Sequence, residues 1–250
     1  MSIIIIIAIV VIIITTVLLV MMKKKTPQTT TSTSTTTPTS KKSNKTKTSV
    51  MLTGICDVGK TSLFLCMKND NETETCTSMT ENIGTCINEK NGEEIEIVDI
   101  PGHGKVRNSF KKYIETTKCV IFVVSAVDIK KTIKDDANFL HNIIVANARN
   151  VPILVVSNKN DLSMPEAVDV IQKMLEKELN KLRIRIAKPG EVISDDEKCM
   201  YGDANDDFHF DQLEYDVNFV EASVKDNDID ALWNYLSSLN QNELKTKKNN

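Results

Sequence analysis

The chain has 250 residues, 41% of them hydrophobic and 26% charged, with a formal net charge of −3 at pH 7. That composition excludes wholesale disorder, a collagen-like repeat and a disulfide miniprotein, and the length allows one large domain or two small ones. The average hides an asymmetry: residues 1–50 hold seven Lys and no acid, leaving 24 basic and 34 acidic residues beyond them, a net of −10 that makes the body a poor nucleic-acid binder.

Residues 3–22 read IIIIIAIVVIIITTVLLVMM, with Thr15 and Thr16 as the only polar positions. At 1.5 Å per residue such a run covers about 30 Å, the hydrocarbon thickness of a bilayer. Lipid offers no water to the backbone, so the run is expected to be a transmembrane helix. A cleaved signal peptide is the competing reading. No cationic residue precedes the run and no small-residue cleavage site follows it; Met21, Met22 and Lys23–Lys25 stand there instead. The lysine flank places the body on the cytosolic side. Residues 26–47 are rich in Thr, Ser and Lys and lack apolar periodicity, which predicts a flexible linker near the anionic leaflet. The expected organisation is an anchor over 1–25, the linker over 26–47, a folded domain over 48–241 and a polar tail over 242–250.

In the body, short apolar runs alternate with amphipathic stretches. Strands are expected at Ser49–Leu52, Ile83–Asn88, Glu93–Ile100, Val120–Val127, Val151–Ser157 and Val217–Glu221. Asn91-Gly92 marks a hairpin between the second and third. The continuous apolar runs suit central parallel strands covered on both faces. Helices are expected from Lys60 and near 105–117, 132–148, 165–183 and 228–239. This alternation predicts an α/β fold: a mixed, mostly parallel six-stranded sheet flanked by helices, with one antiparallel edge pair. Residues 187–210 read as an acidic surface loop. Six Cys occur with no CxxC pair, so reduced, mostly buried thiols are expected rather than zinc ligands.

The first strand runs into Gly54-Ile55-Cys56-Asp57-Val58-Gly59-Lys60-Thr61, which fits G-x-x-x-x-G-K-[ST], with Ser62 following. Glycines let the backbone wrap a phosphate chain, Lys60 can reach the outer phosphates, and the Thr61 hydroxyl can ligate Mg²⁺. The third strand ends in Asp99-Ile100-Pro101-Gly102-His103. A carboxylate there can hold the Mg²⁺ shell through water, and Gly102 can bring an N–H to a γ-phosphate. The fifth strand ends in Asn158-Lys159-Asn160-Asp161. The Asp161 carboxylate can accept from guanine N1–H and the 2-amino group, a donor pair that adenine lacks. Lys159 can lay its stem over the base. After the last strand, Ser223, Val224 and Lys225 can offer backbone N–H groups to the guanine oxygen. Four such loops at the carboxyl ends of strands describe a guanine-nucleotide switch.

With these loops the sequence resembles the Ras-like GTPase superfamily. Within it, it is most similar to the β subunits of the signal recognition particle receptor. The apolar N-terminal run, Thr75-Cys76-Thr77-Ser78-Met79, Asp99–His103, Leu175–Arg183 and Phe208–Leu213 carry that resemblance. It implies a P-loop GTPase fold, GTP/GDP and Mg²⁺ as ligands, and a membrane-bound protein of the endoplasmic reticulum with a cytosolic GTPase domain. It also implies an α subunit as partner, with ribosome or translocon contacts further off. A switch hydroxyl would complete the metal shell; the resemblance favours Thr77 over Ser78 and Thr80. His103 stands where many relatives carry Gln to orient the attacking water, and slow intrinsic hydrolysis is expected. Three alternatives stay open: another Arf-like membrane GTPase, a GTP-dependent scaffold without meaningful hydrolysis, and an ATP-using P-loop enzyme, for which Asp161 would be superfluous.

Overall fold

The structure, a computed structural model, describes residues 49–68, 80–88, 91–186, 201–202 and 206–248, the last nine of these as backbone only. The chain divides into two units, Met1–Lys45 and Thr46–Asn250, and all the described residues fall in the second. The apolar run 3–22, the linker 26–47, Thr77 and Ser78, and most of the 187–210 loop lie outside them. Among the described residues no helix is long and apolar enough to cross a membrane.

The elements in chain order are β1 (Ser49–Thr53), α1 (Lys60–Met67), β2 (Asn82–Asn88), β3 (Glu93–Asp99), a 3-10 helix (Arg107–Lys112), β4 (Cys119–Ser125), α2 (Ile129–Ala146), β5 (Ile153–Asn158), α3 (Val168–Ile186), a short 3-10 helix (Phe210–Gln212), β6 (Val217–Glu221) and α4 (Asp230–Lys248). The strands form one sheet in the order β2-β3-β1-β4-β5-β6. Only the β2–β3 pair is antiparallel; the other four pairings are parallel. Every residue of β4 and β5 is buried, as continuous apolar runs between two helical layers require. The hairpin turns at Gly92, whose φ of 68° glycine takes without strain and whose N–H donates to Asn88 O at 2.7 Å. β2 is an edge strand that buries Cys86 and leaves Ile83 58% and Ile87 51% exposed.

One expected element is corrected. The stretch 105–117 forms only a six-residue 3-10 helix, with Phe110 as its one buried side chain. Lys105, Arg107, Lys111 and Lys112 crowd the stretch, and Phe110 with Ile114 are too few buried apolar side chains to pin a longer amphipathic helix around the Phe110 anchor. That anchor is firm: Phe110 and Phe122 both meet Phe139 edge-on, at centroid distances of 5.8 Å. The 3-10 segment is thereby fastened to α2 and the sheet beneath.

On α2 the core face is Ile129, Ile133, Ala137, Leu140, Ile143 and Ile144, at helical spacing. Asp136 falls on the same face and is fully buried. On α3 the Glu176 carboxylate accepts from Phe210 N–H at 3.2 Å and so caps the second 3-10 helix. Arg183 lies 5.9 Å from the Phe208 ring centroid and donates to Asp206 O, fastening the downstream end of the acidic loop. Cys66, Cys86 and Cys119 are free and buried; burial pushes the last two thiols up to about 11 and about 12, so they stay protonated.

The parallel register decides where the site sits. Leu52 of β1 pairs with Asp99 of β3, and Ser125 of β4 pairs with Asn158 of β5. The carboxyl ends of β1 and β3 are therefore level with each other, as are those of β4 and β5; Thr53 at the end of β1 pairs with Phe122, so β4 and β5 run on beyond β1, and the loops leave all four strands at the same end of the sheet.

Candidate functional site

The loop after β1 is shaped by backbone that only glycine takes without strain. Gly54 has φ 143° and Gly59 has φ 92°; a Cβ would lie 2.3 Å from Val123 O at the first and 2.3 Å from Asn158 Nδ2 at the second. Asp57 between them also sits at positive φ, 63°. Gly59 is the N-cap of α1 and accepts from Leu63 N–H at 2.9 Å. Lys60 is 7% exposed and donates from Nζ to Ile55 O at 2.5 Å, folding its side chain back over the loop. Burial lowers its proton affinity, against Asp99, Cys56, Asp57 and Asp136, which raise it. A buried ammonium beside a glycine-lined cradle has the chemistry to receive a phosphate.

Asp99 is 1% exposed. Its Oδ2 accepts from Thr61 Oγ1 and from Asn82 Nδ2, each at 3.0 Å. Its Oδ1 is buried and meets no hydrogen-bond partner among the described residues. Burial pushes the Asp99 carboxyl up, while Asn82, Thr61 and Lys60 pull it down. An acid pushed up this way is short of positive charge. The donor set, one hydroxyl and one orphaned carboxylate oxygen, is hard oxygen chemistry that suits Mg²⁺. Gly102 approaches the phosphate loop so closely that a Cβ would lie 2.6 Å from Ile55 O and 2.6 Å from Lys60 Nζ. His103, half-buried, follows at once; its carbonyl accepts from Val106 and Arg107 N–H, each at 2.9 Å, and turns the chain into the 3-10 helix.

At the far end, Asn158 joins two loops with one side chain. Its Nδ2 donates to Val58 O at 2.9 Å and its Oδ1 accepts from Val224 N–H at 3.3 Å. Asp161 accepts from Ser223 Oγ at 3.1 Å, and Lys225 Nζ lies 3.8 Å away. The Asp161 carboxylate is thus held at the mouth of the loops that Ser223, Val224 and Lys225 form. Ser223 N–H is committed to Asp228 O at 3.0 Å, which leaves Val224, with its long bond, as the backbone donor most easily turned to a ligand. Lys159 is held at φ 69°, and its Nζ meets Asp128 Oδ2 at 3.3 Å. The Ser125 hydroxyl and Lys159 hold the Asp128 carboxyl below the ordinary range.

The structure brings the residues from Gly54 to Ser62, then Asp99, Gly102, His103, Asn158, Lys159, Asp161 and 223–225 to one edge of the sheet; Thr77 lies outside the described residues. Sequence reasoning missed Asn82, whose amide fixes Asp99, and Asp128, which anchors Lys159. Asn82 opens the strand that pairs with Asp99, and that adjacency was its only signal.

Comparison with known proteins fits this geometry. Residues 43–217 match the family described as signal recognition particle receptor beta subunit. The human signal recognition particle receptor subunit beta is 32% identical over 192 residues, 74% of this chain and 71% of that protein. The solved structure of the mammalian SRP receptor superposes with a TM-score of 0.68 at 31% identity, covering 76% of this chain and 99% of that one. A receptor SRb-GTP/SRX complex from Chaetomium thermophilum shares the fold, with a TM-score of 0.57 at 19% identity over 71% of this chain and 91% of that one. The chain therefore belongs to the signal recognition particle receptor beta subunit family, within the small GTPases.

Proposed function

We propose that the protein is a membrane-anchored GTP-binding switch. It holds the α-type subunit of the signal recognition particle receptor at the cytosolic face of the endoplasmic reticulum, with residues 3–22 as its single span. The observation that carries the nucleotide reading is the Asn158 side chain, which ties Val58 of the phosphate loop to Val224 of the base loop. A P-loop alone would serve ATP or GTP; the Asp161 carboxylate at the joined loops supports guanine. The apolar run with its lysine flank supports the anchor.

In this reading Gly54–Ser62 wrap the phosphates, with Asp57 and Val58 offering backbone N–H groups and Lys60 supplying charge. Thr61 and the switch hydroxyl Thr77 would hold Mg²⁺ directly, and Asp99 would hold it through water. When bound, the ion neutralises charge on the outer phosphates. Gly102 N–H reports the γ-phosphate to the 3-10 segment. His103 orients water for a slow hydrolysis. The exposed Ile83 and Ile87 on edge strand β2, beside the switches, are offered as part of the α-type subunit's seat.

A titration of the full chain in detergent with GTP, GDP and ATP is expected to show guanine selectivity of at least about 100-fold, the scale of a buried hydrogen-bond pair lost. Asp161→Asn is expected to move the preference to xanthine nucleotides. Equal affinity for adenine nucleotides, or unchanged base preference in the variant, refutes the assignment.

A further inference from the structure

One buried charged group is left over by the reading above. Asp136, in the second turn of α2, is fully buried, and neither carboxylate oxygen has a hydrogen-bond partner among the described residues. Thr132, one turn before it, spends its hydroxyl on Asp128 O at 3.3 Å. The charged groups that act on Asp136 come from three elements: Asp135 on its own helix, Lys60 at the start of α1, and Arg107 on the 3-10 helix. Burial pushes its carboxyl up to about 7; Asp135 adds to the push, while Lys60 and Arg107 oppose it. An unpaired carboxylate in such a place is costly, so near neutral pH it exchanges a proton with solvent instead.

Its neighbours belong to the phosphate loop and to the segment that follows Asp99. Arg107 NH1 donates to Asp135 Oδ1 at 2.9 Å, on the surface, and its guanidinium lies 5.0 Å from the Phe139 ring centroid. Phe139 is one helical turn from both Asp135 and Asp136, so a guanidinium over that ring faces either carboxylate after a side-chain rotation. Lys60, whose charge reaches Asp136, is the residue that a phosphate chain would neutralise.

Resting on the guanine-nucleotide reading, we propose that Asp136 is a positioning residue for the phosphate-sensing turn. It holds a proton when the loop carries a triphosphate. With a diphosphate it gives the proton to solvent and draws Arg107 inward from Asp135. The γ-phosphate adds negative charge beside Lys60 and so favours the neutral acid. By linkage, protonation of Asp136 favours GTP over GDP.

The test measures dissociation constants of GDP and a non-hydrolysable GTP analogue from pH 5.5 to 8.5, on the full chain in detergent with Mg²⁺, for wild type and Asp136→Asn. Comparison with the variant cancels titration of the nucleotide itself. The two proteins are expected to share one triphosphate preference at low pH. Above neutrality the wild type is expected to fall below the variant by about tenfold, the size of one charge acting over roughly 10 Å of partly screened protein. Arg107→Gln is expected to move the wild-type midpoint to higher pH, and Asp135→Asn to lower pH; a merely structural Asp136 would leave both midpoints alone. The carbon-13 shift of the Asp136 carboxyl, read in wild type with each nucleotide, gives the same answer should Asp136→Asn not fold: protonation to higher pH with the triphosphate. Superimposable profiles, or a carboxyl that titrates alike with both nucleotides, overturn the proposal while leaving GTP binding intact. Failure of every variant and of wild type to hold any guanosine phosphate overturns the nucleotide reading itself, and this proposal with it.

Discussion

At the residue scale, the proposed reading makes position 103 the one that would separate a GTPase from a GTP-dependent clamp. His103 follows Gly102 beside the phosphate loop, and a neutral imidazole can both accept from and donate to a water. Replacing it with Ala is expected to slow single-turnover phosphate release about 100-fold, the lower end for a lost proton-handling group, with GTP affinity within about threefold of wild type. Phosphate release equal to wild type would place the role of His103 in packing. Asp136 makes a separate prediction about folding. Its folded-state acidity lies near 7 against an ordinary value of 3.8, so the stability it allows is fully present below about pH 4 and is lost as pH rises toward 7. In urea titrations Asp136→Asn is expected to match wild type near pH 4 and to exceed it at pH 8 by up to about 4 kcal/mol, the linkage value of a carboxyl that folding moves from 3.8 to about 7. A constant difference at both pH values would contradict this. Asp136 was within reach of the sequence: it lies three residues after Ile133 and four before Leu140, on the apolar stripe of α2. Beside Asp135 and Lys134 it reads as one more surface charge, and only burial distinguishes it.

At the scale of elements, the strands were the most legible part of the chain. β4 and β5 are runs of Val, Ile, Leu and Phe too apolar for any place but the middle of a sheet, and Asn91-Gly92 marks the one hairpin. The segment after Asp99 was the least legible. Phe110 gains its hold from Phe139 on α2, a contact that no local pattern announces. The edge strand β2 carries a prediction of its own. Alternation puts Ile83 and Ile87 on the exposed face while Cys86 packs inward. Ile83→Asp with Ile87→Asp is expected to weaken capture of the α-type subunit by at least about tenfold, as loss of apolar contact at an interface centre does, and to leave the melting temperature within a few degrees. Undiminished capture would move the partner's seat elsewhere.

For the whole molecule, the proposed reading divides the labour: an apolar run and a cationic linker for place, an acidic α/β body for the nucleotide. Deleting residues 1–25 is expected to move the protein from the membrane pellet to the supernatant after alkaline extraction, since an apolar run of twenty residues broken only by Thr15 and Thr16 outweighs the attraction of a few lysines to lipid headgroups. Persistence in the pellet would mean that another part of the chain holds the bilayer. The site was legible as four loops because phosphate, metal and base each demand particular residue types at strand ends. What joins those loops was not, since a side chain-to-backbone bond between Asn158 and Val58 spans 100 positions and leaves no periodic trace.

That single amide has a mechanical implication. In the proposed reading one side chain fastens the purine end to the phosphate end, so that loosening either pulls on the other. A release factor would need to pry at only one lip of the cleft, and the grip on the opposite end would slacken with it.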